Sequence, residues 1–220
     1  MNNTILLGTL LATIVVANAQ VYSTNWNSGF ANAGVVPDNS FSGWSDSRSV
    51  STMPAGTLQG VAVDIQLSSG WTSDLHAYLV SGSGFAVLLD RVGTPGLTIG
   101  YGAGTMTVTL ADNGFNSQAI TLILHGAGAN ASGMFNPDDN NAGFATTGAS
   151  GSLGSFLGTS QNGTWSLFVA DLSGGGVTTI QSWGLQMEIV PEPQTGTLAL
   201  AGALVAFWLN RQIWSGVKKA

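Results

Sequence analysis

Residues 61–67, VAVDIQL, alternate in character, with Val61, Val63, Ile65 and Leu67 separated by Ala62, Asp64 and Gln66. Successive side chains of a strand point to opposite faces, so this period of two predicts a strand with one buried and one solvated face. The same pattern recurs at residues 75–79, 85–89, 106–110, 120–124, 165–169 and 183–189. Because no segment between them keeps a helical period, the chain is predicted to be all-β, with two packed antiparallel sheets. The Gly-, Asn- and Ser-rich stretches 25–49 and 126–154 are predicted as loops with at most short edge strands.

The composition is typical of an extracellular β protein. Only 7% of the residues are charged and 31 are glycine, whereas charged residues make up about 25% of typical soluble domains. The absence of cysteine excludes disulfides, thiol catalysis and cysteine-ligated metals. Residues 20–190 hold ten acids and two arginines. Nucleic acid is therefore not expected as a partner, because phosphate binding requires clustered Lys and Arg.

The N-terminus has the features of a secretory signal peptide. An apolar run from Ile5 to Val16 is followed by Ala17-Asn18-Ala19, the small-x-small pattern that signal peptidase cleaves. We therefore predict a signal helix at residues 1–19 and a mature chain that begins at Gln20. The alternative is a buried helix of the fold, but no capping residues flank the run.

The C-terminus combines three features in order. Pro191-Glu192-Pro193 forms a stiff, extended segment. Residues 195–209 are 15 residues without a charge, about 22 Å as a helix, which is marginal for a bilayer core of about 30 Å. Arg211, Lys218 and Lys219 then form a basic tail, which the positive-inside rule places in the cytoplasm. A plain single-pass anchor is the alternative.

This C-terminal order resembles the PEP-CTERM sorting signal of Gram-negative bacteria. On that resemblance, residues 191–220 are the signal, with Pro191, Glu192, Pro193 and Arg211 as its motif residues and 195–209 as its transmembrane helix. The resemblance implies cleavage by an exosortase, a membrane-embedded transpeptidase. It also implies delivery to the cell envelope, the surface or an exopolysaccharide matrix.

A second resemblance covers about residues 33–189 of the predicted 20–190 domain. The segments VPDN (36–39), VAVDI (61–65), SDLHAYL (73–79), LLDRVG (88–93), LGSFLG (153–158), GTWSLFVAD (163–171) and SWGL (182–185) follow the landmarks of the P domain (P/Homo B) of subtilisin-like proprotein convertases. The resemblance implies a jelly-roll β-sandwich. In convertases this domain is an accessory to a separate catalytic domain.

The sequence contains no catalytic constellation that we can identify, and we expect no enzymatic activity. No serine lies in a Gly-x-Ser-x-Gly elbow, and His76 and His125 are predicted as strand-surface residues. The alternative, a stand-alone hydrolase, requires two carboxylates or a His-Asp pair that converge in a pocket.

No cofactor is expected, although calcium is an alternative at Asp138 and Asp139, which begin an Asp-Asp-Asn-Asn run with oxygen ligands. The run matches no ordered ligand spacing and is also common turn chemistry. Asp74 and Asp171 are predicted to cap their own turns.

The tryptophans fall into two groups. Trp165 and Trp183 occupy the buried phase of strands and are predicted to pack in the core. Trp26, Trp44 and Trp71 lie in loops or at strand starts, where exposed aromatic rings could contact a glycan. The sequence as a whole predicts an exported, non-enzymatic surface or matrix protein whose partners are signal peptidase, an exosortase and an exopolysaccharide. An accessory of a secreted subtilisin-like protease and a carbohydrate-binding module are the alternatives.

Overall fold

The computed structural model describes residues 18–82, 84–92, 104–120, 122, 130–138, 151–192 and 202–208. The chain divides into two compact units, Ala19–Pro191 and a second unit that comprises Met1–Asn18 and Glu192–Ala220. In the second unit, residues 202–208 are helical. No helix in the described part of the chain is long and apolar enough to cross a membrane. Ala17 and the rest of the predicted 195–209 span lie outside the described residues.

The first unit consists of two β-sheets, as the sequence predicts. The larger sheet has the order β1-β10-β4-β7-β8, with β2 also paired to β10; its strands are β1 Gln20–Trp26, β2 Val35–Val36, β4 Gly56–Ser69, β7 Gly104–Ala111, β8 Ser132–Phe135 and β10 Thr178–Pro191. The smaller sheet has the order β3-β9-β5-β6; its strands are β3 Ser40–Val50, β5 Leu75–Ser81, β6 Gly84–Asp90 and β9 Gly163–Asp171. Short 3₁₀ helices lie at Ala31–Gly34, Thr72–Asp74, Phe115–Ser117 and Leu153–Phe156. Neighbouring strands are antiparallel except β7 and β8, which are parallel, so the prediction of purely antiparallel sheets is wrong at this edge.

One hydrophobic core joins the inner faces of the two sheets. In β4, Val63, Ile65 and Leu67 are buried, and in β9 the alternate residues Trp165 and Leu167 are completely buried. Burial of each large apolar side chain stabilises the fold by about 1.5–3 kcal/mol, so the core dominates the stability of this disulfide-free unit. Trp183 is also fully buried, which confirms the predicted packing role of both core tryptophans.

The prediction that residues 25–49 are loops with at most short edge strands is wrong, because Ser40–Val50 forms an edge strand of 11 residues. Its outward positions Ser45 and Ser47 are exposed, and its inward positions include Asp46 and Arg48, so no apolar alternation marks it. Conversely, the strand predicted at 120–124 is not found at its described positions. Ile120 is buried and Leu122 is exposed, but neither is in a strand, and Leu124 lies outside the described residues.

An ion pair lies on the inner side of edge strand β3. Arg48 Nε donates to Asp46 Oδ2 at 2.6 Å, and Trp183 Nε1 donates to the same oxygen at 2.7 Å. The Arg48 guanidinium also lies 6.0 Å from the Trp26 ring and 5.3 Å from the Phe30 ring. Inward-pointing charge discourages an edge strand from pairing with another chain, and here the charges are neutralised by each other and covered by aromatic rings.

Candidate functional site

The two ends of the sandwich lie on neighbouring strands of the larger sheet. β1 begins at Gln20, which pairs with Ile189 of β10, and the Tyr22 hydroxyl donates to Gln20 Oε1 at 2.8 Å. β10 continues to Pro191, which pairs with Gly56 of β4. The first and last strands of the unit are therefore held in register with each other up to the predicted processing regions.

Local sequence explains why β10 ends at Pro191. Gly56 lacks a side chain where the backbone of Val190 and Pro191 approaches closely, which lets the pairing with β4 run to the end of the strand. A proline has no N–H to donate to a further ladder bond and is tolerated at strand ends and edges. Glu192 follows and is exposed, while Pro193 and Arg211 of the predicted motif lie outside the described residues.

The predicted glycan-contacting tryptophans do not form one surface. Trp44 is only 4% exposed, and its Nε1 donates to Ala31 O at 2.9 Å, so its assignment as an exposed glycan contact is wrong. It is buried because it pairs with core residue Val169 on the inner face of β3. Trp26 is half-buried and packs against Trp183 at 4.5 Å between ring centroids. Trp71 is 37% exposed and lies beside Gly175.

His76 is half-buried on the outer face of β5 rather than fully on the surface. It pairs with Asp90 across β5 and β6, and its ring forms an edge contact with Tyr78 at 5.8 Å. Burial lowers the pKa of His76, and the negative charges of Asp90 and Asp138 oppose that shift. His125 lies outside the described residues.

The acidic loop residues bond to the backbone or to their own turns. Asp138, a candidate calcium ligand, is 3% exposed and accepts a hydrogen bond from Asp90 N at 2.8 Å; Asp139 lies outside the described residues. Across the described ranges, no group of three or more His, Asp or Glu side chains is placed to hold a metal ion.

Asp74 and Asp171 lie close enough to interact with each other and with Asp38. Burial raises the pKa of Asp171, hydrogen bonding to the backbone of Ser173 lowers it, and the Asp38 and Asp74 carboxylates raise it further. Burial also raises the pKa of Asp74, which a hydrogen bond from Ser73 partly offsets. Both side chains accept hydrogen bonds within their own turns, in line with the capping role predicted for them.

A cleft of about 250 Å³ contains Asp112 and Glu188. Asp112 Oδ2 accepts from Gly154 N at 3.0 Å, and Glu188 Oε2 accepts from Asn116 N at 3.1 Å. Burial raises the pKa of Asp112, and the hydrogen bond from Gly154 lowers it. Both carboxylates thus hold 3₁₀ segments, a role that the sequence did not reveal because the partners are distant along the chain.

A polar groove lies on the outer face of the larger sheet and was not evident from the sequence. It has a volume of about 260 Å³, and its lining includes Asn25, Asp64, Gln66, Thr107 and Thr109. The available signal was the outward phase of VAVDIQL, where Asp64 and Gln66 interrupt the apolar residues. Sequence alone could not show that polar residues of β1, β7 and β10 lie beside them.

No family model and no curated protein matches the chain. Among solved structures, the fold is similar to the crystal structure of the Aeromonas sobria serine protease (ASP) in complex with the chaperone ORF2. The identity is 17% and the TM-score 0.46, and the match covers 80% of this chain and 28% of that chain. It is also similar to the crystal structure of the serine protease of Aeromonas sobria, with 17% identity and a TM-score of 0.44 over 78% of this chain and 27% of that chain. The chain therefore spans less than a third of either matched chain.

Proposed function

We propose that this chain is exported and sorted to the surface or the extracellular matrix of a Gram-negative bacterium, where its β-sandwich acts as a non-enzymatic structural or binding module. One observation carries the proposal: both predicted processing regions lie at the ends of strands of the larger sheet. β1 begins at Gln20, immediately after Ala19, and β10 ends at Pro191, the first residue of the Pro-Glu-Pro triplet. Cleavage by signal peptidase after Ala19 and by an exosortase at the triplet would leave every described strand in place.

The position of the core supports this reading of the ends. The main cluster of buried apolar residues extends from Val36 to Ile189, inside the segment that would remain after processing. The finer parts of the proposal rest on sequence resemblance. They are the PEP-CTERM identity of residues 191–220, a transmembrane helix at 195–209 before cleavage, and a P-domain-like jelly roll over about 33–189.

The hydrogen bonds of the acidic side chains support a non-enzymatic role. Asp112, Asp138 and Glu188 each accept a backbone N–H, and Asp46 accepts from Arg48 and Trp183. Each of these carboxylates is thereby held to a structural partner. A catalytic carboxylate pair needs one member free to donate a proton to the substrate.

Cell fractionation of the full chain tests the proposal in an exosortase-containing Gram-negative host. We expect the wild-type chain in the surface or extracellular fraction. A variant with Pro191→Ala, Glu192→Ala and Pro193→Ala should remain in the inner membrane, because the recognition segment is lost while residues 195–209 are kept. The matched control is Pro37→Ala, an exposed proline within the sandwich. Equal distribution of all three proteins would contradict the proposal.

A second candidate function is that of an accessory to a secreted subtilisin-like protease. The two most specific P-domain-like segments, GTWSLFVAD and SWGL, lie on β9 and β10, and each contributes a completely buried tryptophan. Affinity purification from the native host discriminates the candidates: stoichiometric recovery of a subtilisin-like catalytic chain would favour the accessory role.

A further inference from the structure

The polar groove of the larger sheet has the properties of a small ligand site. It lies where β10, β4 and β7 are adjacent, and its volume of about 260 Å³ is just below the range of about 300–1,000 Å³ for drug-sized ligands. Its side chains are mainly amides and hydroxyls, with Asp64 as the single charged residue of the lining. The groove therefore suits a compact, polar ligand.

Two donors fix the Asp64 carboxylate. Thr109 Oγ1 donates to Oδ1 at 2.6 Å, and Gln186 Nε2 donates to Oδ1 at 2.9 Å and to Oδ2 at 3.1 Å. The two shorter bonds fall on Oδ1, so Oδ2 has the more available lone pairs. Hydrogen bonds to an ionised acceptor are roughly twice as strong as neutral ones. Asp64 is thus a preorganised acceptor.

A glycine of β10 lets β1 approach closely beside the groove. Gly184 of β10 pairs with Asn25 of β1 on one side and with Asp64 of β4 on the other. A Cβ at Gly184 would lie 2.5 Å from Thr24 O and 3.0 Å from Asn25 Nδ2. A glycine inside a strand often marks the close approach of another backbone. Here the approaching groups are the Thr24 carbonyl and the Asn25 amide of β1, and Asn25 thereby reaches the lining of the groove.

Charge in and around the groove disfavours an ionic ligand. Both arginines of residues 20–190 are engaged elsewhere, Arg48 with Asp46 and Arg91 with Ser73 O. An anion would meet Asp64 without a compensating cation. A metal ion would meet the hydrogens that Thr109 and Gln186 direct at the carboxylate. A neutral ligand whose hydroxyls both donate and accept satisfies the carboxylate and the amides together.

We infer that this groove binds a neutral sugar unit of an oligosaccharide or polysaccharide. Asp64 Oδ2 accepts ligand hydroxyls, and the side-chain amides of Gln66 and Asn25 exchange hydrogen bonds with neighbouring hydroxyls. None of the three tryptophans that the sequence indicated lines this groove. The inference rests on the proposed function for its setting outside the cell, but the groove and the processing segment are separate parts of the chain.

Titration calorimetry with purified full-length protein in a zwitterionic, sugar-free detergent tests the inference. The probes are tetrasaccharides of glucose, mannose and galactose, and a galacturonic acid tetrasaccharide serves as the anionic comparison. We expect millimolar or tighter binding of at least one neutral probe and weaker binding of the anionic one. Asp64→Asn should weaken the neutral probe about tenfold, because Oδ2 becomes a donor.

Two further variants keep the test decisive. Gln66→Ala changes an exposed side chain and should weaken binding by a factor of about three or more, even if Asp64→Asn fails to fold. Ser49→Ala, exposed on the other sheet, should leave binding unchanged. Binding of no neutral probe, equal binding of the anionic probe, or unchanged affinity in the Gln66 and Asp64 variants would each overturn the inference. Since sorting is measured by fractionation in cells, failure of one proposal leaves the other independently testable.

Discussion

The two outer faces of the sandwich follow the same strand period but carry different chemistry. On the smaller sheet, Tyr78 stacks on Phe168 with ring centroids 4.4 Å apart, and Phe85 and His76 flank it at 5.3 and 5.8 Å. On the larger sheet, the outward positions hold Asp64 and its hydrogen-bonded partners. The two-residue alternation along a strand determines which side chains point away from the core. Their neighbours on adjacent strands determine whether these side chains pack on one another or stay accessible to a ligand.

We expect the aromatic face to contribute mainly to stability and, on the inference above, the polar face to contribute to ligand binding. Aromatic pairs in this geometry contribute about 0.5–1.5 kcal/mol beyond the area that they bury. On the polar face, Thr109 and Gln186 instead donate hydrogen bonds to the Asp64 carboxylate and hold it in a fixed position. Substitutions on the aromatic face should therefore reduce the free energy of unfolding, whereas those on the polar face should reduce binding.

The largest effect is expected at Phe168. Phe168→Ala removes the ring that stacks on Tyr78 and should lower the free energy of unfolding by about 3 kcal/mol. This is the lower end of the range for truncation of a core aromatic residue, because the Phe168 ring is only half-buried. Urea denaturation measures the change. Gln66→Ala on the other face is the control, with an expected change below about 0.5 kcal/mol. Similar losses for both variants would remove the distinction between the faces.

A smaller loss is expected at Gly184, which pairs with Asn25 and Asp64 of the groove lining. Gly184→Ala places a methyl group 2.5 Å from Thr24 O and should cost about 2 kcal/mol, within the usual range for overpacking. Gly174→Ala is the matched control, because its nearest neighbour would be Asn39 Cβ at 3.9 Å. Thermal unfolding of both variants compares the costs; an unaltered midpoint for Gly184→Ala would show that β1 is loosely held against β10.

Asp64→Asn should change stability less than either of these variants. Asparagine keeps an oxygen for the Thr109 bond but places an amide where Oδ2 met Gln186, a loss of about 1 kcal/mol. Chemical denaturation measures the stability of this variant, and the sugar titration measures its affinity, so the two effects are determined separately. A loss as large as that of Phe168→Ala would make Asp64 a structural residue instead.

The smallest effect is the pH dependence of the aromatic face. Burial lowers the pKa of His76 below its usual 6.5, despite the opposing charges of Asp90 and Asp138. The unfolded chain then binds the proton more tightly, so this contribution to stability is complete above about pH 6.5 and is lost as the pH falls through the folded-state pKa. His76→Gln should remove this part of the slope.

The buried aspartates change the free energy of unfolding with pH in the opposite direction to His76. Burial raises the pKa of Asp74, Asp112 and Asp171 above 3.8, so their contribution is complete at acid pH and is lost as the pH rises through their folded-state values. These groups are present in both proteins, and the difference between wild type and His76→Gln isolates the histidine. Identical pH profiles from pH 4 to 8 would contradict a desolvated ring at this position.

The sequence was sufficient where apolar residues occupy the buried phase of a strand. VAVDIQL and GTWSLFVAD are strands whose alternate residues enter the core. It failed at β3, where Asp46 and Arg48 occupy the inward phase and serines the outward phase. An ion pair can occupy such inward positions because each charge neutralises the other, but the hydrophobic pattern then disappears.

Contacts between distant parts of the chain also explain why the sequence mispredicted Trp44 and did not reveal the groove at Asp64. Trp44 was placed among exposed candidates because its neighbours Gly43 and Ser45 are typical of loops, although it lies at the inward phase of β3. The groove at Asp64 depends on Thr109 and Gln186, which are 45 and 122 residues away along the chain. The local sequence pattern predicts that each of these side chains points outward. Their contact with one another depends on the order of the strands in the sheet, which the local pattern does not determine.

We propose above that both ends of the sandwich are processing points, and the intact mass of protein recovered from the cell surface tests this most directly. We predict a chain that begins at Gln20 and lacks residues 195–220. A surface protein that retains Met1 or ends at Ala220 would contradict it.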